Sequence, residues 1–142
     1  MQTFLPYSNF KKCAEVLDYR RLGKQRVEGM QIINCLIKPN KWSNHPAVKM
    51  WQGYEMAIKS YVNTMIHEWI RQGYKNTMQI YEIDDWFYLP SWLGDHRLHS
   101  SHRANLIRKD PKYYGQFGWA EDPVEEYWWP YRRKEGKWVC HI

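Results

Sequence analysis

The 142-residue sequence predicts an all-α fold, a single compact domain of about three main helices joined by long aromatic-rich loops. Three observations predict it. The length suits one domain at the usual ~100–200 residues. Hydrophobic residues at 44% and charged residues at 25% are proportions of a folded chain, not a disordered one. Apolar residues recur at helical spacing in two long stretches, whereas few segments alternate with period two. The elements follow in order. Ser8-Asn9 caps a helix over about 9–37, whose buried stripe runs through Val16, Leu17, Val27, Met30, Ile33 and Leu36/Ile37. Gly23 and Gly29 weaken that helix by roughly 1 kcal/mol each relative to Ala, so they mark a bend or a close approach by another backbone. Pro39-Asn40 ends it. A second helix over about 46–72 carries Val48, Trp51, Tyr54, Ile58, Tyr61/Val62, Met65 and Trp69 on one face, and Gly73 stops it. Residues 74–94, rich in Trp, Tyr, Pro and Asp, read as a long packed connection. A third helix over about 95–109 opens at Asp95 and closes at Asp110-Pro111. The last thirty residues hold Pro123, Pro130 and several aromatics, and are expected to wrap across the helices as loops.

Composition narrows the function classes. No apolar run approaches the ~20 residues of a membrane span, so no membrane partner is expected. The start, Met-Gln-Thr-Phe-Leu-Pro-Tyr, lacks the basic-then-apolar pattern of a secretory leader. Cys13, Cys35 and Cys140 are odd in number and widely spaced, which predicts neither a disulfide framework nor a C-x-x-C metal site. A cytoplasmic, nucleoid-associated protein is the expectation. The 21 Lys+Arg against 15 Asp+Glu leave a net charge of +6, a salt-sensitive attraction for any polyanion. Nine Trp and eleven Tyr stand beside that charge, and such rings stack on bases in unpaired or distorted nucleic acid. The plainer account is that most of these rings are core. Composition suggests nucleic acid without establishing it.

Four clusters carry the candidate chemistry. The first is the run from Leu17 to Glu28, which holds Arg20, Arg21, Lys24, Gln25 and Arg26. On a helix Arg21, Gln25 and Glu28 share one face, with Lys24 beside them, so cations meet a phosphodiester while one carboxylate stays for chemistry. The alternative is a solvated face of ordinary ion pairs. The second is His45 in Ser-Asn-His-Pro, which either binds a phosphate at a helix start or satisfies the local backbone. The third is His96, His99 and His102. No Cys or carboxylate at a familiar metal spacing completes that set, so phosphate or core contacts are expected and no metal or cofactor. The fourth is Arg108-Lys-Asp-Pro-Lys-Tyr-Tyr-Gly115, where Lys109 and Lys112 adjoin Tyr113 and Tyr114 as a nucleic-acid contact. A Gly-rich phosphate loop, G-x-S-x-G and H-E-x-x-H are all absent.

Taken together, the chain resembles the pyrimidine-dimer DNA glycosylase family of the bacteriophage endonuclease V type, in a bacterial and viral branch. The resemblance covers about residues 1–120 and rests on the Leu17-Asp18 to Glu28 block, Asn44-His45-Pro46-Ala47-Val48, Arg71-Gln-Gly-Tyr74 and Lys109-Asp-Pro-Lys-Tyr-Tyr-Gly115. Residues 121–142 then form an aromatic-rich C-terminal extension, and Tyr127-Trp-Trp129 has no counterpart. The resemblance implies an all-α domain that binds duplex DNA, flips a nucleotide and attacks the sugar C1′ with its own α-amino group. A Schiff base and β-elimination then cut the strand. The family's catalytic Glu falls on Glu28, and Lys112 to Gly115 matches its DNA-contacting, dimer-facing aromatic segment.

Two departures stand out. Val27 occupies the position before Glu28 where the family has Arg, with Arg21 and Arg26 on neighbouring turns. Gln2 stands where the type member exposes a small residue, so the amine is that of Met1, or of Gln2 if Met1 is removed. The expected activity is a base-excision glycosylase with an AP-lyase step, acting as a monomer on double-stranded DNA with a damaged or modified pyrimidine. The alternatives are a non-catalytic DNA-binding module and a same-fold enzyme acting on another modified nucleic acid.

Overall fold

Helical capping chemistry, more than periodicity, sets where the elements begin and end. The computed structural model describes residues 1–140. Helix α1 (Phe10–Val16) starts where the Asn9 side chain accepts from the Lys12 N–H. The expected helix over 9–37 does not run through. It breaks at Leu17-Asp18, both in extended backbone, because the Asp18 carboxylate accepts the Arg21 N–H and opens a new helix, α2 (Tyr19–Ile37). The Tyr114 hydroxyl pins the break by accepting from the Asp18 N–H and donating to its carboxylate.

The expected helix over 46–72 is also two. α3 (Pro46–Lys49) is a single turn capped by His45, and α4 (Glu55–Arg71) follows after a reversal at Gly53, whose φ is +85°. An apolar stripe crosses this interruption because Trp51 packs into the same core as Ile58 and Tyr61. α5 (His96–Lys109) begins at Asp95 as expected, and α6 (Pro111–Tyr114) with a 3-10 turn (Gly115–Phe117) continues beyond it. The chain is helix-rich as expected, and its last segment adds a small sheet where loops were expected. Strands β1 (Tyr131–Lys134) and β2 (Lys137–Cys140) pair antiparallel with Lys134 opposite Lys137. Glu135 and Gly136 both have positive φ, 52° and 76°, the backbone of a two-residue hairpin turn.

The core lies between α2 and α4, closed by α1, α3 and α5. Leu22, Ile32 and Ile33 of α2 meet Ile58, Val62, Met65 and Ile66 of α4, all fully buried. Gly29 and Gly23 are contact points, not bends: a Cβ on Gly29 would run into Val62 Cγ2, and one on Gly23 falls 2.9 Å from the Trp69 ring. Between α4 and α5 the chain is irregular, as expected, but only partly packed. Trp92 is buried and donates to Met50 O at 2.7 Å, whereas Trp86 and Tyr88 stand exposed. Cys13 and Cys35 are buried and Cys140 exposed, all as free thiols. No helix among the described residues is long and apolar enough to cross a membrane.

Candidate active site

Residues 2–6 belong to no helix or strand, yet they are buried, so each of their backbone groups needs a partner from elsewhere. Side chains from three helices supply them. Gln25 on α2 reaches both directions, its Oε1 accepting from the Phe4 N–H at 2.8 Å and its Nε2 donating to Gln2 O at 3.0 Å. The Tyr61 hydroxyl of α4 lies 2.8 Å from Phe4 O and 2.7 Å from Gln25 Oε1. On α5, His102 Nδ1 accepts from the Leu5 N–H at 2.8 Å. His99 Nε2 accepts from the Gly94 N–H, which leaves its Nδ1 proton to be donated to Leu5 O at 2.7 Å. Arg103 adds a bond to Pro6 O, and Trp51 Nε1 donates to Thr3 Oγ1.

This clamp needs neutral imidazoles. Burial pushes His102 down to about 3, and burial also lowers His99. Of the three histidines singled out by their spacing, His99 and His102 therefore form a backbone clamp, and His96 remains exposed outside it.

The clamp delivers the start of the chain to Glu28. The Gln2 N–H donates to Glu28 Oε2 at 3.3 Å, and Gln25 Nε2 donates to the same oxygen at 3.1 Å. Around this point opens a cleft of about 1160 Å³. Met1, Gln2, Arg20, Arg21, Lys24, Gln25, Glu28, His45 and Lys109 all line it, which brings together nine residues proposed from four separate stretches of sequence. Burial, with the charges of Arg108, Arg21 and Lys24, holds the Lys109 ammonium below its ordinary pKa.

Of the cleft's three carboxylates, two are committed. Asp110 caps α6 through the Tyr113 N–H, and Asp18 caps α2, pairs with Arg21 at 3.1 Å and accepts from Tyr114. Burial works against the Asp18 charge, but those bonds hold its carboxyl below the ordinary value. His45 does two things at once: its Nδ1 accepts from the Ala47 N–H at 3.0 Å, and its ring faces the cleft edge-on to Trp129. Burial and then the nearby N-terminal charge lower its pKa.

The remaining candidates lie elsewhere. Arg26 sits over the Trp69 ring at 4.3 Å and donates to Asn76 Oδ1 at 2.7 Å, on another face of α2. Lys112 is exposed and Tyr113 half-buried, both outside the cleft lining. Tyr114 is fully buried and stacks on Trp119, so its ring has no face to offer a base. Conversely, Phe4, Tyr127 and Trp129 form cleft wall that sequence reasoning missed. The two C-terminal rings come from a stretch whose only signal was its aromatic density.

The comparisons with known proteins bear on this geometry. A family model for pyrimidine dimer DNA glycosylases matches residues 1–82. The chain belongs to this family. The matched part contains the N-terminal segment, all of α2 with Glu28, His45 and Tyr61, so it covers the clamp's α2 and α4 sides. The α5 side of the clamp and the hairpin lie beyond it. Neither a curated protein nor a solved structure matches the chain.

Proposed function

We propose that the cleft is the active site of a DNA glycosylase with an AP-lyase step, releasing a damaged or modified pyrimidine from double-stranded DNA. The observation that carries this reading is the approach of the chain's first peptide group to Glu28, with the Gln2 nitrogen 3.3 Å from Oε2. Cleavage of an N-glycosidic bond passes through a cation-like sugar, and a carboxylate beside it stabilises that charge. Glu28 is the cleft carboxylate that no helix cap occupies. The nucleophile is the α-amine. As a class, α-amines give up their proton more readily than lysine side chains do, which suits them to nucleophilic attack near neutral pH.

With Met1 retained, its amine lies one residue step from the Gln2 nitrogen, at most ~3.6 Å further out. It attacks C1′ as the base leaves, and the base takes up a proton. The resulting secondary amine opens the sugar to a Schiff base, and loss of the C2′ proton then expels the 3′ phosphate by β-elimination. Arg20, Arg21, Lys24 and Lys109 hold phosphates at the mouth. Flipping costs a few kcal/mol and least at a damaged base, which supplies selectivity before any pocket contact.

The test is borohydride trapping on abasic-site DNA, with mapping of the trapped residue, alongside base release from a duplex carrying one thymine dimer. The expected result is a covalent adduct on residue 1. An adduct on a lysine removes the α-amine from the mechanism. Base release without an adduct makes the protein a monofunctional glycosylase, and neither activity leaves a DNA-binding module.

A further inference from the structure

Residues 127–138 lie outside the stretch matched by the family model, yet they build a second concavity beside the cleft. It has a volume of about 560 Å³. Tyr127, Trp129, Tyr131 and Trp138 supply its walls, and Arg132 and Arg133 supply its charge. Tyr127 and Trp129 also line the cleft, so the two concavities adjoin across a shared aromatic wall.

The lining of this second concavity is dominated by aromatic rings. A pocket that reads one flipped base needs polar groups to meet the base's hydrogen-bonding edge. This one is walled mostly by rings, with arginines at hand and Asn44 and Pro46 also in the lining, and rings with arginines stack successive bases and follow a phosphate backbone without regard to sequence. The hairpin is cationic throughout, with Arg132, Arg133, Lys134 and Lys137 against Glu135. The Arg133 guanidinium lies 5.5 Å from the Trp138 ring centroid. Trp138 Nε1 is buried in the wall with no acceptor among the described residues, an indole donor left over for a ligand oxygen.

We infer that the hairpin and its aromatic approach bind an unpaired DNA strand leading out of the cleft, so that the preferred substrate is a duplex joined to a single-stranded segment. The inference rests on the reading of the cleft as a DNA site, and it adds a substrate class to it. The rings of Tyr131 and Trp138 stack on the unpaired bases, and Arg132 and Arg133 contact their phosphates.

The experiment compares blunt duplex DNA with the same duplex bearing a short single-stranded thymidine overhang, 3′ or 5′, by fluorescence anisotropy with the full-length protein. One stacked base predicts about tenfold tighter binding of one overhang polarity. Trp138→Ala removes that advantage and leaves blunt-duplex affinity unchanged. Arg132→Gln, an exposed position that does not test the hairpin's folding, shrinks the advantage and lowers the salt slope on the overhang substrate by about 0.7. Equal affinity for blunt and overhang duplexes overturns the inference, as does an advantage that survives both substitutions. Base release from the thymine-dimer duplex, measured in parallel, separates the two readings. Overhang preference without base release overturns only the glycosylase assignment. Base release without overhang preference overturns only the unpaired-strand site.

Discussion

At the scale of single residues, Glu28 is distinguished by what does not hold it. Asp18 and Asp110 are caps, whereas among the described residues Glu28 receives only the Gln2 N–H and the Gln25 amide. Glu28→Gln keeps the shape and removes the charge that stabilises the cationic sugar. Base release under single turnover is expected to fall by roughly a thousandfold, with DNA affinity nearly unchanged by anisotropy. An unaltered rate rejects Glu28. Acetylating the α-amine, or adding a retained residue ahead of Met1, is expected to abolish borohydride trapping, since either removes the nucleophile or moves it by up to ~3.5 Å. Lys24 is exposed in the cleft mouth, so Lys24→Ala is expected to weaken binding of all DNA sequences and reduce the log-affinity against log-salt slope by about 0.9. An unchanged slope places Lys24 off the DNA.

At the scale of elements, two contacts hold the site in register. The first is α2 on α4, which Gly29 lets approach under Val62. Because Val62 is branched at Cβ, it does not swing aside cheaply, and Gly29→Ala is expected to cost about 1–3 kcal/mol by urea denaturation. Val62→Ala in the same chain is expected to restore part of that loss, and a purely additive double variant argues against the close approach. The second is the N-terminal segment on α5. His102→Phe leaves the Leu5 N–H without its acceptor, at a cost of about 1–3 kcal/mol. Faster amide exchange at Leu5 and weaker trapping, with DNA affinity retained, are the expected signature. Unchanged exchange at Leu5 excludes the clamp.

At the scale of the whole molecule, the clamp ties stability to pH. His102 in the folded state titrates at about 3 against an ordinary 6.5, so between those values the unfolded chain binds the extra proton. Stability then rises with pH, and it is lost as pH falls from about 6.5 towards 3. His99 adds in the same direction. As pH falls below their ordinary values of 3.8 for Asp and 4.5 for Glu, the depressed carboxyls of Asp18, Glu68 and Glu121 act likewise. Urea midpoints are expected to drop steadily below pH ~6.5, with the dependence reduced in His102→Phe. A flat profile down to pH ~4 contradicts a buried neutral His102.

The sequence by itself determined the helical class, the polyanion-seeking charge and the shared face of Arg21, Gln25 and Glu28. Each of these depends on local spacing or on composition, which folding does not alter. It also carried the family resemblance, whose matched part ends at residue 82. The tertiary structure decided where helices break, because the cap at Asp18 is fixed by Tyr114, 96 residues away. It separated Arg26 from Lys24, two residues apart on α2 and turned to different faces, since Trp69 and Asn76 draw the guanidinium away from the cleft. It turned Tyr114 from a candidate base-stacking ring into core. The short hairpin escaped notice because its four-residue strands are mostly charged and exposed, which leaves little alternation to read. Above all, only the fold joins residue 2 to residue 28 through partners at 25, 61, 99 and 102. Burying an irregular segment requires a donor or acceptor for every peptide group, and no pattern along the chain announces which distant side chains will supply them.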